Sequence, residues 1–163
     1  MEKTIYLAGG CFWGMQAFFK QLAGVNKTEV GYANGNCINP SYELVCSDTS
    51  GFAETLCVVY ENKTISLEKL LAWFFSVIDP CSINHQGEDS GSQYRSGVYF
   101  IDKEDEDIIR NYISSISTQY DKPIMTEVLP LENFYPAEEY HQDYLIKNPS
   151  GYCHINMKLL NQD

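Results

Sequence analysis

The chain has 163 residues, is 44% hydrophobic and 20% charged, and carries 12 tyrosines. That length suits one domain spanning 1–163 with a core that needs no disulfide staples. The formal net charge of −11, with no Lys/Arg cluster to offset it, excludes a nucleic-acid binder and disfavours an anionic membrane surface.

Met1-Glu2-Lys3 leads into a short mixed stretch and not into the apolar run of a secretion signal. No segment approaches the roughly 20 apolar residues of a membrane helix, so the expected location is the cytoplasm. Thr4 to Ala8 reads as a strand running into Gly9-Gly10-Cys11-Phe12-Trp13-Gly14. Met15, Phe18, Phe19 and Leu22 follow at helical spacing, with Gly24 as the expected stop. Val25 to Tyr32 alternates as a second strand. Ala33 to Gly51 is polar and turn-rich, and its length marks it as a candidate functional loop.

Phe52 to Tyr60 reads as the third strand. Ser66 is the expected N-cap of a helix whose stripe is Leu67, Leu70, Leu71, Phe74, Phe75 and Ile78, ended by Asp79-Pro80. Cys81 to Gln93 is a second irregular stretch and Tyr94 to Ile101 a fourth strand. Asp102 to Tyr120 is expected as a helix with Ile108, Ile109, Tyr112, Ile113 and Ile116 inward, its acidic first turns suiting the helix dipole. Ile124 to Leu129 reads as a fifth strand, Glu138 to Leu145 as a short helical piece, and the C-terminal tail as irregular. Up to Ile101 the order is strand, helix, strand, strand, helix, strand. This predicts an α+β, ferredoxin-like two-layer sandwich in split βαβ order, with the helices on one sheet face.

The six cysteines are at 11, 37, 46, 57, 81 and 153. No Cys-x-x-Cys pair occurs, and His85, His141 and His154 complete no finger spacing, so no metal site is expected. In a cytoplasmic chain of this size reduced thiols are the default. Cys11 is singled out by its place between a strand end and a helix start, where amide dipoles favour a thiolate. The competing reading is a Gly-Gly turn, a buried Cys and two core aromatics, Phe12 and Trp13. In the third strand Glu54 shares a face with Leu56, Val58 and Tyr60. If that face is the core face, its carboxyl group is buried and stays neutral, able to act as an acid. If the strand end frays, the group is simply solvated. Tyr42, Tyr94 and Cys153 each read as packing residues when judged alone.

Together these residues resemble the A-type peptide methionine sulfoxide reductases. The resemblance rests on Gly10-Cys11-Phe12-Trp13-Gly14, Val30-Gly31-Tyr32-Ala33, Asn39-Pro40-Ser41-Tyr42, Ala53-Glu54, the run Gln86 to Ser96, Ala137 to Gln142, and Asn148 to Cys153, which follow the family's order. It implies one catalytic domain that reduces methionine-(S)-sulfoxide, free or in proteins, without metal or organic cofactor. Cys11 would be the nucleophile and Glu54 the acid at the sulfoxide oxygen. Tyr42 and Tyr94 would donate to that oxygen, Asp89 would support the site, and Phe12 and Trp13 would cage the S-methyl group. Cys153 would resolve a Cys11 sulfenic acid as a disulfide, and thioredoxin or a similar dithiol would recycle the enzyme, acting as a monomer.

Two positions depart from the family pattern. Phe52 stands where many relatives have His, and Glu88 where Asn is usual before Asp89. The resemblance assigns His141 only a structural role, and leaves the other cysteines as weaker resolving candidates. Two different classes remain as alternatives: another cysteine enzyme such as a peroxide reductase, and a redox-sensing module without turnover. An acyl-transferring thiol enzyme is disfavoured, since no His is placed near Cys11 by sequence.

Overall fold

The computed structural model describes residues 1–47, 50–151 and 155. They form a mixed α+β fold around a central sheet. Its longest strands are β1 (Glu2–Gly9), β2 (Val25–Ala33) and β3 (Ala53–Glu61), joined by β6 (Ser96–Phe100), β7 (Glu127–Pro130) and β8 (Phe134–Pro136). The order across the sheet is β7-β6-β1-β3-β2-β8. Pairing is antiparallel except between β6 and β7, which run parallel. A separate hairpin joins β4 (His85–Gln86) to β5 (Asp89–Ser90). Among the described residues, no helix is long and apolar enough to cross a membrane.

The period-2 pattern of the strands sorts their side chains between two clusters. Ile5 and Leu7 of β1, Val30 and Tyr32 of β2, Leu56, Val58 and Tyr60 of β3, and Val98 and Phe100 of β6 join the main apolar cluster. There they meet Phe12, Met15, Phe18 and Phe19 of α1 (Phe12–Phe19), Leu70, Leu71 and Phe74 of α3 (Leu67–Val77), and Ile109 and Ile116 of α4 (Lys103–Ile116). The alternate positions Ala8, Ala33, Ala53 and Tyr99 form a smaller cluster with Tyr6, Leu131 and Phe134. Glu54 therefore lies on the helix-covered face of β3, in line with Leu56 and Val58.

The helices begin where their polar caps dictate. The Ser66 hydroxyl accepts from the Lys69 N–H at 3.1 Å at the start of α3. The acidic first turn of α4 does more than face a dipole, because fully buried Asp105 accepts from Lys3 of β1 at 2.7 Å. Helix α1 ends at Phe19, short of the expected Gly24: the backbone tightens through Gln21 N–H to Phe18 O and Leu22 N–H to Phe19 O.

Three expectations need correction. The fourth strand starts at Ser96, because Tyr94 belongs to a 3₁₀ turn, Ser92–Tyr94. The polar segment 33–51 contains α2 (Tyr42–Cys46), capped by the Ser41 hydroxyl accepting from Leu44 N–H. Beyond Pro130 the chain forms β8, then a 3₁₀ turn at Glu139–His141 and α5 (Tyr144–Lys147). Replacing Leu56, fully buried on the helix-covered face, by Ala should lower the unfolding free energy by about 2–5 kcal/mol in urea titrations. Leu129→Ala on half-exposed β7 should cost much less.

Candidate active site

The chain turns from β1 into α1 through Gly10, whose φ of 92° lies in the region that favours glycine. Cys11 follows as the N-cap of α1, with only 6% of its surface exposed. Next to it, the Phe12 N–H donates to Glu54 Oε1 at 3.3 Å. The fold thus brings two distant segments together: the start of α1 and the start of β3 meet at this bond. Glu54 is 1% exposed, and its Oε2 is buried with no hydrogen-bond partner among the described residues.

Burial pushes the Glu54 carboxyl up to about 8, the Phe12 N–H opposes that shift, and the negative charge of Asp89 adds to it. A neutral carboxyl is therefore the form present at neutral pH. Asp89 is held near by the β4–β5 hairpin, which Gln86 fastens to the end of α3 by accepting from Asp79 N–H at 2.9 Å and donating to Asp79 O at 2.8 Å.

Tyr42 and Tyr94 converge on the same carboxyl. Burial is the main cause raising both phenols above their ordinary range, and the charge of Glu54 is the next. Tyr94 also feels Asp89 and Cys11. Tyr42, the first residue of α2, is hydrogen-bonded to the Cys46 thiol one turn on. Its N–H donates to Glu138 Oε2 at 3.1 Å, while Glu138 Oε1 accepts from the Tyr32 hydroxyl at 2.8 Å. Tyr32 in turn sits directly opposite Glu54 in the β2–β3 register.

Aromatic rings close the other side. Phe12 lies 5.8 Å from Tyr32, 6.4 Å from Tyr42 and 5.4 Å from His141. Trp13 stacks on Tyr144 at 3.8 Å and on His141 at 5.7 Å, and its indole N–H donates to His141 Nδ1 at 2.9 Å. His141 is 1% exposed, and burial lowers its pKa against the opposing charge of Glu138. An indole N–H can only donate, so Nδ1 carries the lone pair and the imidazole is neutral.

Of the residues singled out by sequence, Cys11, Phe12, Glu54, Tyr42, Tyr94 and Asp89 are brought to one place, with Trp13 beside them. Cys153 lies outside the described residues. Sequence reasoning placed Tyr32 and Glu138 in motifs without giving them a role, and missed Tyr144. The spacing Tyr140, His141, Tyr144 was the available signal, since it crowds aromatic side chains into one short stretch. Phe52 is fully buried: its ring lies on Gly35, where a Cβ would come within 2.2 Å of it, and meets Tyr135 edge-on at 5.9 Å. Glu88 is exposed at the tip of the β4–β5 hairpin.

A cysteine at a helix start, next to an N–H that a buried acid accepts from, is the setting of a thiol enzyme, and comparison with known proteins makes it an oxidoreductase. A family model described as peptide methionine sulfoxide reductase matches residues 3–163. The chain belongs to that family. It is 52% identical over 158 residues to the peptide methionine sulfoxide reductase MsrA of Clostridium acetobutylicum, covering 97% of this chain and 98% of that one. Among solved structures, reduced Mxr1 from Saccharomyces cerevisiae aligns with a TM-score of 0.91 at 39% identity, covering 95% of this chain and 91% of that one. Mxr1 in complex with Trx2 aligns with a TM-score of 0.63 at 28% identity, covering 88% and 84%.

His141→Phe keeps a ring under Trp13 but removes the acceptor of its indole N–H. Chemical denaturation should show a loss of about 1–3 kcal/mol, the cost of a buried donor left unpaired; an unchanged midpoint would mean that the indole finds water.

Proposed function

We propose that the chain reduces methionine-(S)-sulfoxide, free or in proteins, with Cys11 as nucleophile and Glu54 as the acid. One observation carries the assignment: a buried carboxyl beside the Cys11-Phe12 start of α1, with one oxygen fixed by a backbone N–H and the other left open. The Cys11 thiolate, favoured by the positive end of α1, attacks the sulfoxide sulfur. The sulfoxide oxygen gains negative character in that step and takes a proton from Glu54, with the Tyr42 and Tyr94 hydroxyls donating to it. Phe12 and Trp13 receive the S-methyl group. Methyl and oxygen cannot exchange places in such a pocket, which selects one epimer.

In the balance of the step, one thiol and one sulfoxide become one sulfenic acid and one thioether, and two electrons pass from Cys11 to the substrate sulfur. The sulfenic acid is reversible. Cys153 condenses with it, forming a disulfide and releasing water. A thioredoxin-type dithiol then reduces the disulfide, a reading supported by the complex of the related Mxr1 with Trx2. Such recycling requires a reducing compartment, which fits the cytoplasm.

The finer description of the fold belongs to the same proposal. The order β6-β1-β3-β2 with antiparallel pairing throughout supports a ferredoxin-like, split βαβ core in one catalytic domain, extended at its edges by β7 and β8.

Because Glu54 titrates near 8, the acid is available below that pH and is lost as pH rises through it. The rate of methionine formation in a single turnover should fall across that range. Glu54→Gln should be roughly 100- to 1,000-fold slower and should lack this alkaline limb; the same limb persisting in the variant would exclude Glu54 as the titrating acid.

Cys153→Ser should form one methionine per enzyme and then stall, with the Cys11 sulfenic acid trapped by dimedone and read by mass spectrometry. Cys11→Ser should form none. Undiminished thioredoxin-driven turnover in Cys153→Ser would remove Cys153 from the scheme.

A further inference from the structure

The Arg95 side chain, 17% exposed, follows Tyr94 directly and is used by none of the steps above. Its Nε donates to Glu127 Oε1 of β7 at 2.7 Å, and the same oxygen accepts from the Tyr99 hydroxyl at 2.8 Å. Its Nη1 donates to Ser92 O and its Nη2 to Gly51 O, both at 2.8 Å. One planar fork therefore joins three pieces of chain. Ser92 opens the 3₁₀ turn that carries Tyr94, and Gly51 lies three residues before Glu54, on the segment leading into β3. The third piece, β7, is the sheet edge on which the ion pair is anchored.

We infer that Arg95 is a positioning residue for the reduction: its guanidinium fixes the turn bearing Tyr94 against the segment bearing Glu54, and so sets the spacing of the two donors to the sulfoxide oxygen. The inference rests on the proposed roles of Tyr94 and Glu54. Backbone bonds hold each piece to other neighbours, the turn through Gly91 N–H to Asn84 O and the segment through Asn36 N–H to Ser50 O, whereas the guanidinium bonds to both pieces at once. A guanidinium suits the task because its donors diverge in a fixed plane. Lysine offers one compact ammonium and cannot reach two carbonyls and a carboxylate in that geometry. The fold does not hang on this fork. The β6–β7 ladder from Gly97 with Glu127 to Phe100 with Pro130, and the Ser96–Thr126 hydroxyl pair at 2.9 Å, tie the same edge without it.

The test is a double-mutant cycle on the full chain, reading single-turnover methionine formation and KM for a methyl sulfoxide substrate. Arg95→Lys should slow the step by roughly 10- to 100-fold, the scale of a donor displaced by about 1 Å, with KM unchanged within about twofold. Tyr94→Phe should be slow as well. The double variant should be no slower than the slower single, within about twofold, because Arg95 acts through Tyr94. Glu127→Gln, which loosens the anchor and leaves both carbonyl contacts, should cost less than Arg95→Lys and keeps the test informative if the lysine variant folds poorly. Multiplicative losses in the cycle would overturn the inference, as would a wild-type rate in Arg95→Lys or a Glu127→Gln loss equal to it. A wild-type rate in Tyr94→Phe would instead fault the reading of Tyr94 as donor, and the inference would fall with it.

Discussion

The contact between Phe12 N–H and the Glu54 carboxyl joins the two halves of the site. It forms only because β3 turns its Glu54-Leu56-Val58-Tyr60 face toward the helices. An ionised carboxylate there would carry a large desolvation cost. The group responds by holding its proton, with its pKa raised to about 8 mainly by burial. The structure thus keeps an acid in its neutral form by placing it where solvent cannot stabilise the anion. No metal or strong base is required for that, only an alternating strand whose first inward residue is polar.

The two electrostatic demands of the proposed chemistry conflict. A neutral acid and an anionic thiolate must coexist in one small site, the acid accepting from the N–H of the residue next to Cys11. Negative charge from Asp89 helps the first and opposes the second. The start of α1 reconciles them by position. Cys11, as N-cap, sits at the positive end of the helix, whereas Glu54 takes only one N–H from it, which lowers the carboxyl pKa less than burial raises it. Among the described residues the imidazole in the wall, His141, adds no cation to disturb the balance, since it is held neutral by burial and by its indole donor.

Much of this arrangement was legible in the sequence where a period was long enough to read. The α3 stripe from Leu67 to Phe75 and its Ser66 cap appear as expected, and so does the inward row of α4 at Ile109 and Ile116. The burial of Glu54 followed from two-residue alternation once the core face of β3 was known. Short elements were not legible. Helix α2 has five residues and only Val45 is buried, so it presents no apolar stripe. Strand β8 has three residues, none of them fully buried, and gains its place from pairing with β2 at Gly31, Tyr32 and Ala33. Tyr94 reads as strand because β6 begins only two residues later, at Ser96, and no local signal separates them; its real setting is a 3₁₀ turn, Ser92–Tyr94. The aromatic wall around Trp13 was half legible: Phe12 and Trp13 sit in the motif, but Tyr144 reaches Trp13 only through the packing of α5 on α1.

The departure at Phe52 shows how a local change can leave the proposed chemistry in place. A histidine at this position would bring a titratable ring into the main cluster, two residues from Glu54 and on the same face of the chain. Phe52 instead fills that volume with an apolar ring, seated on Gly35 and against Tyr135. The ring cannot relay a proton, so any proton exchange between Glu54 and solvent must pass by another way. What it does supply is apolar volume in the main cluster that Glu54 shares a strand face with. The raised carboxyl pKa does not depend on a titratable partner at position 52, since its shift comes from burial and the charge of Asp89 against the Phe12 N–H. Gly35 is what makes room for the ring, since even a methyl group there would come within 2.2 Å of it and displace it.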